Sequence, residues 1–171
     1  MAIVDALDFL SVNQELTGTS YSQMCKEFGV AKDAFAADQP LHILVSCLGD
    51  LTVGTDVTIQ AIGYNDFENL SDAFIISTTK LIKADEVKYG RSFTLPLPAV
   101  DQKYSYLCLK YVVTGGTEQQ DEMPTDPCPP NAVLPSLAKD EKKDNCFNAV
   151  IVRNSSTTLT YAYNNEDKAY P

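Results

Sequence analysis

Apolar and polar residues along this chain alternate with a period of two far more often than they recur at helical spacing. Residues 41–48 form a near-continuous apolar run bounded by Pro40 and by Gly49 and Asp50, the pattern of a buried strand. Over 56–63, Val57, Ile59 and Ala61 share one face and Thr58 and Gln60 the other, which predicts a half-buried strand. Residues 73–78 are rich in β-formers. Over 92–97, Phe93 and Leu95 are in phase, while Pro96 and Pro98 confine the strand to a sheet edge or end it. The longest candidate is 104–113, with Leu107, Leu109, Tyr111 and Val113 on one face and Tyr106, Cys108, Lys110 and Val112 on the other. Residues 145–152 and 158–163 complete the set. Strands at roughly 8–15-residue spacing with turn residues between them point to a single all-β domain over 1–171, a sandwich or barrel of antiparallel strands.

Three segments depart from that pattern. In 20–29, Tyr21, Met24, Cys25 and Phe28 fall at i, i+3, i+4 and i+7, with Ser20 and Gly29 placed to cap a short helix; the same residues also alternate as a strand. Periodicity leaves both open. Residues 114–144 hold five of the nine prolines and a charge of −4 from seven acidic residues and three lysines. A 31-residue connection without regular structure is uncommon in a compact domain, so this one reads as an extended insertion. The stretch 154–171, polar with Tyr161, Tyr163 and Tyr170, reads as a last strand followed by a tail, or as an arm ordered by a partner.

Composition narrows the function more than the pattern does. The chain has 171 residues, enough to bury a core without disulfide staples. Its net charge of −10 argues against a nucleic-acid partner and against an anionic membrane surface. No apolar run reaches the roughly 18 residues of a membrane span. The N-terminal stretch carries Asp5 and Asp8 and no basic region, so it is not read as a signal peptide.

A single histidine, His42, rules out multi-histidine metal sites within one chain and would have to serve alone as a catalytic base. The five cysteines form no C-x-x-C pair; Cys47, Cys108 and Cys146 lie in strand-like runs and read as small hydrophobes. Cys128 is the best candidate for a bridge, with Cys146 the partner considered. Gly115 and Gly116 belong to no phosphate-binding pattern, and Asp66 and Glu68 lack calcium-loop spacing. Lys80, Lys83 and Lys88 are interspersed with Asp85 and Glu86 and make no basic patch. No enzyme, metal or cofactor is expected.

The order of these ordinary motifs resembles the Bbp16-like family of tailed-phage capsid cement proteins. The motifs are Ile3-Val4-Asp5, then Ser11 and Gln14 as an S-x-x-Q segment; Gln39-Pro40-Leu41 leading into Ile43-Leu44-Val45; Phe93-Thr94-Leu95-Pro96; and Lys103-Tyr104 through Leu107, Leu109, Lys110, Tyr111 and Val113 to Thr114-Gly115. Asn148-Ala149-Val150-Ile151 matches the closing strand. The likeness spans about residues 1–115 and 145–153; the family has a short turn where 116–144 stands here.

The resemblance implies a jelly-roll-like β-sandwich on the outside of a phage head, synthesised in the host cytoplasm. It would bridge subunits of a major capsid protein of the HK97-like type, with no catalysis. It also implies self-association, a dimer at a two-fold axis or else a trimer at a three-fold axis, and it tips 20–29 toward strand. In that setting the insertion would lie across a neighbouring subunit through Met123, Val133, Leu134 and Leu137. Tyr161, Tyr163 and Tyr170 would act as amphipathic anchors in the tail. The alternative class is a carbohydrate- or protein-binding β-sandwich of a phage tail or host-recognition structure, since jelly rolls host both. A cupin-type enzyme is disfavoured by the lone histidine.

Overall fold

The computed structural model describes residues 4–27, 41–66, 72–97, 104–118, 123–125 and 141–153. Among these residues there is no α-helix, and the strands form two sheets packed as a sandwich.

The smaller sheet has the order β1 (Val4–Glu15), β11 (Cys146–Arg153), β4 (Leu41–Cys47) and β8 (Ser92–Leu97). The larger runs β10 (Thr117–Glu118), β2 (Gly18–Tyr21), β9 (Tyr106–Thr114), β5 (Asp56–Tyr64) and β6 (Phe74–Thr78). There β3 (Lys26–Glu27) pairs with β9, and β7 (Ile82–Lys83) pairs with β5. Every pairing is antiparallel except that of β10 with β2.

The predicted strands at 41–48, 56–63, 73–78, 92–97, 104–113 and 145–152 are all present, with no end shifted by more than two residues. Over 20–27 the chain has no helix and enters two short strands, β2 ending at Tyr21 and β3 at Lys26–Glu27, so the helical reading of that stretch is set aside. Their alternation wins because both short strands hydrogen-bond to β9. Residues 28–29 and the expected strand at 158–163 lie outside the described residues.

The core follows the period-two pattern. Val57, Ile59 and Ala61 of β5 and Leu107, Leu109, Tyr111 and Val113 of β9 face inward. They meet Ile43, Val45 and Cys47 of β4, Leu95 and Leu97 of β8, and Phe147, Ala149 and Ile151 of β11. The Tyr111 and Phe147 rings meet at 5.5 Å between the two sheets. The near-continuous run of β4 has its own explanation: Leu44, on the opposite face, is buried in a second cluster with Phe9, Val150 and Val152. A strand covered on both faces has no polar side to show.

β1 is a strand that simple alternation does not predict. Its register against β11 shifts three times between Val4 and Gln14, and Asn13 has a positive φ of 47°. These bulges turn polar side chains inward. Ser11 and Gln14 are buried; the Ser11 hydroxyl donates to Gln14 Oε1 at 2.7 Å and accepts from the Tyr111 hydroxyl at 2.9 Å. Gln14 in turn donates to the Tyr21 carbonyl at 2.7 Å. The S-x-x-Q segment thus ties β1 to β9 and β2 through a satisfied buried network.

Both ends of the expected 114–144 insertion are built into the sandwich. Gly115, with φ of 83°, makes the turn into β10. There the chain passes so close that a Cβ on Gly18 would fall 1.5 Å from the Thr117 carbonyl oxygen, which requires glycine at that position. At the far end, the Lys143 N–H donates to the Leu48 carbonyl and the Asn145 N–H to the Asp50 carbonyl.

Candidate interaction surface

Two features of the larger sheet bear on what this protein could hold. The first is a short strap. Met123 is buried in a cluster with Cys25, Ile62, Tyr64 and Cys108, against which Tyr21, Ala73 and Tyr106 pack. These side chains lie on the face of β9 and β5 that points away from the core, and Met123 covers them. The Tyr64 hydroxyl donates to the Pro124 carbonyl at 2.7 Å, and its ring stacks on Tyr106 at 5.5 Å. Burial pushes the Tyr64 hydroxyl well above its ordinary range, and the neighbouring thiols of Cys108 and Cys25 add to the shift. Tyr64 therefore stays a neutral donor, which is what a carbonyl partner requires.

Met123 was expected to reach a neighbouring subunit. Its side chain is instead packed on its own sandwich, where it holds the beginning of the insertion against β5 and β9. Val133, Leu134, Leu137, Tyr161, Tyr163 and Tyr170 lie outside the described residues, as does Cys128. Cys146 is a free, buried thiol, so the bridge considered for it is not formed.

The second feature is the rim of the larger sheet. Phe74, Ile75 and Leu81 are the exposed large hydrophobic residues among those described, at 39%, 54% and 57% exposure. Phe74 is partly held by an edge-on contact with the Tyr104 ring at 5.6 Å. Ile75 pairs in register with Ile62 and continues the outward apolar face to the sheet margin. The sequence marks 73–78 as a strand. Nothing in its alternation says that the strand is the outermost one, so these residues could be found only from the three-dimensional pairing.

His42 is the second residue of β4, paired with Val152 on one side and Pro96 on the other. Burial pushes the Cys47 thiol up to about 12, against a smaller lowering by Arg91, and raises Cys108 and Cys146 in the same direction. These thiols are protonated at neutral pH and are poor nucleophiles there. Among the described residues, no group of three or more His, Cys, Asp or Glu side chains is placed to hold a metal ion.

No protein-family model matches this chain, and a search of curated proteins finds no match.

Proposed function

We propose that this chain is a capsid cement protein. It binds the outside of a tailed-phage head and bridges neighbouring major capsid protein subunits. The observation that carries this reading is where the cement-like motifs fall. The S-x-x-Q residues Ser11 and Gln14 are in β1 and Ile43-Leu44-Val45 in β4. Phe93 through Pro96 lie in β8, Leu107 through Val113 in β9, and Asn148 through Ile151 in β11. They are not scattered decoration: they build both sheets and the buried network that joins them.

Strand order supports the jelly-roll form of the reading. When β2 is merged with β3 and β6 with β7, and β10 is set aside, eight strands remain, in the order 1-8-3-6 in one sheet and 2-7-4-5 in the other. Two interlocked Greek keys would give this order, which is what supports the jelly-roll reading. A rigid body of this kind suits a role that consists of contact area, repeated many times over a symmetric shell, where avidity makes modest interfaces secure.

The test is direct. Purified chain is mixed with expanded, DNA-free heads of the phage whose genome carries its gene. Saturable binding at a fixed ratio to capsid subunits, with a higher rupture or melting threshold of the shell, is the expected result. Failure to bind those heads overturns the reading. Copy number separates it from the host-recognition alternative: hundreds of copies per virion fit a cement protein, and a dozen or fewer fit a tail component.

A further inference from the structure

Buried cysteines on separate strands can be joined only where the fold sets them side by side. Cys25, Cys47, Cys108 and Cys146 are all free thiols. Cys47 pairs with Phe147 and Cys146 with Glu15, so neither has a cysteine opposite it. Cys25 and Cys108 are placed differently. Lys26 of β3 pairs with Leu107 of β9, and these two cysteines are the next residues on the same side of that pair. Residues facing each other on antiparallel strands have Cα atoms about 4.5–5.5 Å apart, within the span of a disulfide. The side chains agree with the backbone. Both cysteines are buried in the cluster beneath Met123, and both thiols are hydrogen-bonding neighbours of the one Tyr64 hydroxyl.

We propose that Cys25 and Cys108 are an oxidisable pair, joined by a small-molecule disulfide when the Met123 strap lifts. One cysteine, as its thiolate, attacks the oxidant RSSR, forms a mixed disulfide and releases the first RSH. The other then attacks the protein-side sulfur of that mixed disulfide and releases the second RSH. The protein gives up two hydrogens and two electrons, and the oxidant carries them away as its two thiols. Two features keep the pair reduced in the closed fold. Met123 covers it, and burial raises the Cys108 thiol, so little thiolate is present to attack. The described part of the strap is held by Met123 and by the Tyr64 bond to Pro124, a small set of contacts to release. Lys26 and Glu27 are the residues through which β3 pairs with β9, so the new bond would make a short contact covalent and close a loop that takes in β4 to β8.

The inference rests on this cluster and not on the capsid reading: a chain that forms the bridge and binds no shell would refute only the latter. Reduced full chain, both as it stands and with Cys128→Ser to remove a competing partner, is incubated with oxidised glutathione, quenched in acid and mapped by mass spectrometry. The expected bridge is Cys25–Cys108, with Cys47 and Cys146 still thiols, and the oxidised chain should melt at a higher temperature than the reduced one. Met123→Ala should form the bridge several-fold faster, and Met123→Leu, which keeps the cover, at the parent's rate. Cys25→Ser should stop at the mixed disulfide on Cys108. Absence of the bridge in both the parent and Met123→Ala, a bridge that forms only in urea, a rate indifferent to Met123→Ala, or an oxidised chain that melts lower than the reduced one would overturn the proposal.

Discussion

Asn145 is the most consequential polar residue of the described structure, and its replacement gives a sharp test of how the sandwich is closed. It is 8% exposed and held at φ of 60°, in the left-handed region. Its Oδ1 accepts from the backbone N–H groups of Thr52, at 2.7 Å, and Val53, at 3.1 Å, and its Nδ2 donates to Thr52 Oγ1 at 2.8 Å. Its own backbone N–H donates to the Asp50 carbonyl, and its carbonyl accepts from Leu16 N–H, both at 2.8 Å. One side chain thus fixes the 48–55 loop against the start of β11. Removing it strands two backbone donors, at about 1 kcal/mol each. Alanine adds about 1 kcal/mol more, because a Cβ without a compensating polar group is disfavoured in the left-handed region. Asn145→Ala should therefore cost about 3 kcal/mol and Asn145→Gly about 2 kcal/mol. Asn145→Asp keeps the acceptor and should cost about 1 kcal/mol, from the lost donation to Thr52. With a urea dependence of about 2 kcal/mol per molar, the midpoints should fall by about 1.5, 1 and 0.5 M respectively. An alanine variant within 0.5 kcal/mol of the parent would refute the reasoning. So would a glycine variant less stable than the alanine one, since the left-handed backbone would then not be the source of the difference.

Other outcomes follow from the same geometry. Tyr111→Phe should cost about 1 kcal/mol and Ser11→Ala about 2 kcal/mol, because serine serves two partners. The double variant should cost less than the sum, and strict additivity would mean that the Tyr111–Ser11 bond at 2.9 Å contributes nothing. Met123→Ala should uncover the cluster beneath the strap, so that a thiol reagent labels Cys25 and Cys108 several-fold faster in the native protein while Cys47 is unchanged. Equal acceleration at all three, read by mass spectrometry, would indicate global rather than local opening. Cys47 also predicts a pH dependence. Its thiol is held up to about 12 in the fold against 9.0 ordinarily, so the folded chain keeps a proton that the unfolded chain gives up. Stability from this group is unaffected below pH 9 and should fall by about 1.4 kcal/mol per pH unit between 9 and 12. Cys47→Ala should flatten that slope, and an unchanged slope would assign the alkaline loss elsewhere.

How much of this was legible in the sequence depends on what each residue's position is decided by. Alternation records which face of a strand a side chain takes. It therefore placed Val57, Ile59 and Ala61, and Leu107 through Val113, on the buried side. It also marked β4 as covered on both faces, because an unbroken apolar run has no other soluble explanation. β1 escaped because its bulges break the very period being read: Ser11 and Gln14 sit inside, and a rule that sends polar residues outward assigns them wrongly. The strap escaped for a different reason. Met123 stands in a stretch of prolines and acids whose composition says extended and solvated. Yet one methionine over Ile62 and one carbonyl opposite Tyr64 are enough to bring three residues of it down onto the sheet.

The rim is the instructive case, because there the sequence is explicit and still silent. A five-residue strand of β-formers looks the same whether a neighbour flanks it on one side or on two. Only the strand order puts β6 last in its sheet. Once that order is known, the sequence becomes informative again. Proline in β8, repeated bulges in β1 and brevity in β10 each serve to keep an edge from pairing, and β6 has a bulge of its own, since Ala61 pairs with Ser77 and Ile62 with Ile75, skipping Ile76. The exposed Phe74 and Ile75 therefore stand on an edge whose backbone, and not its side chains, keeps it from pairing, a device that no reading of alternation could have found.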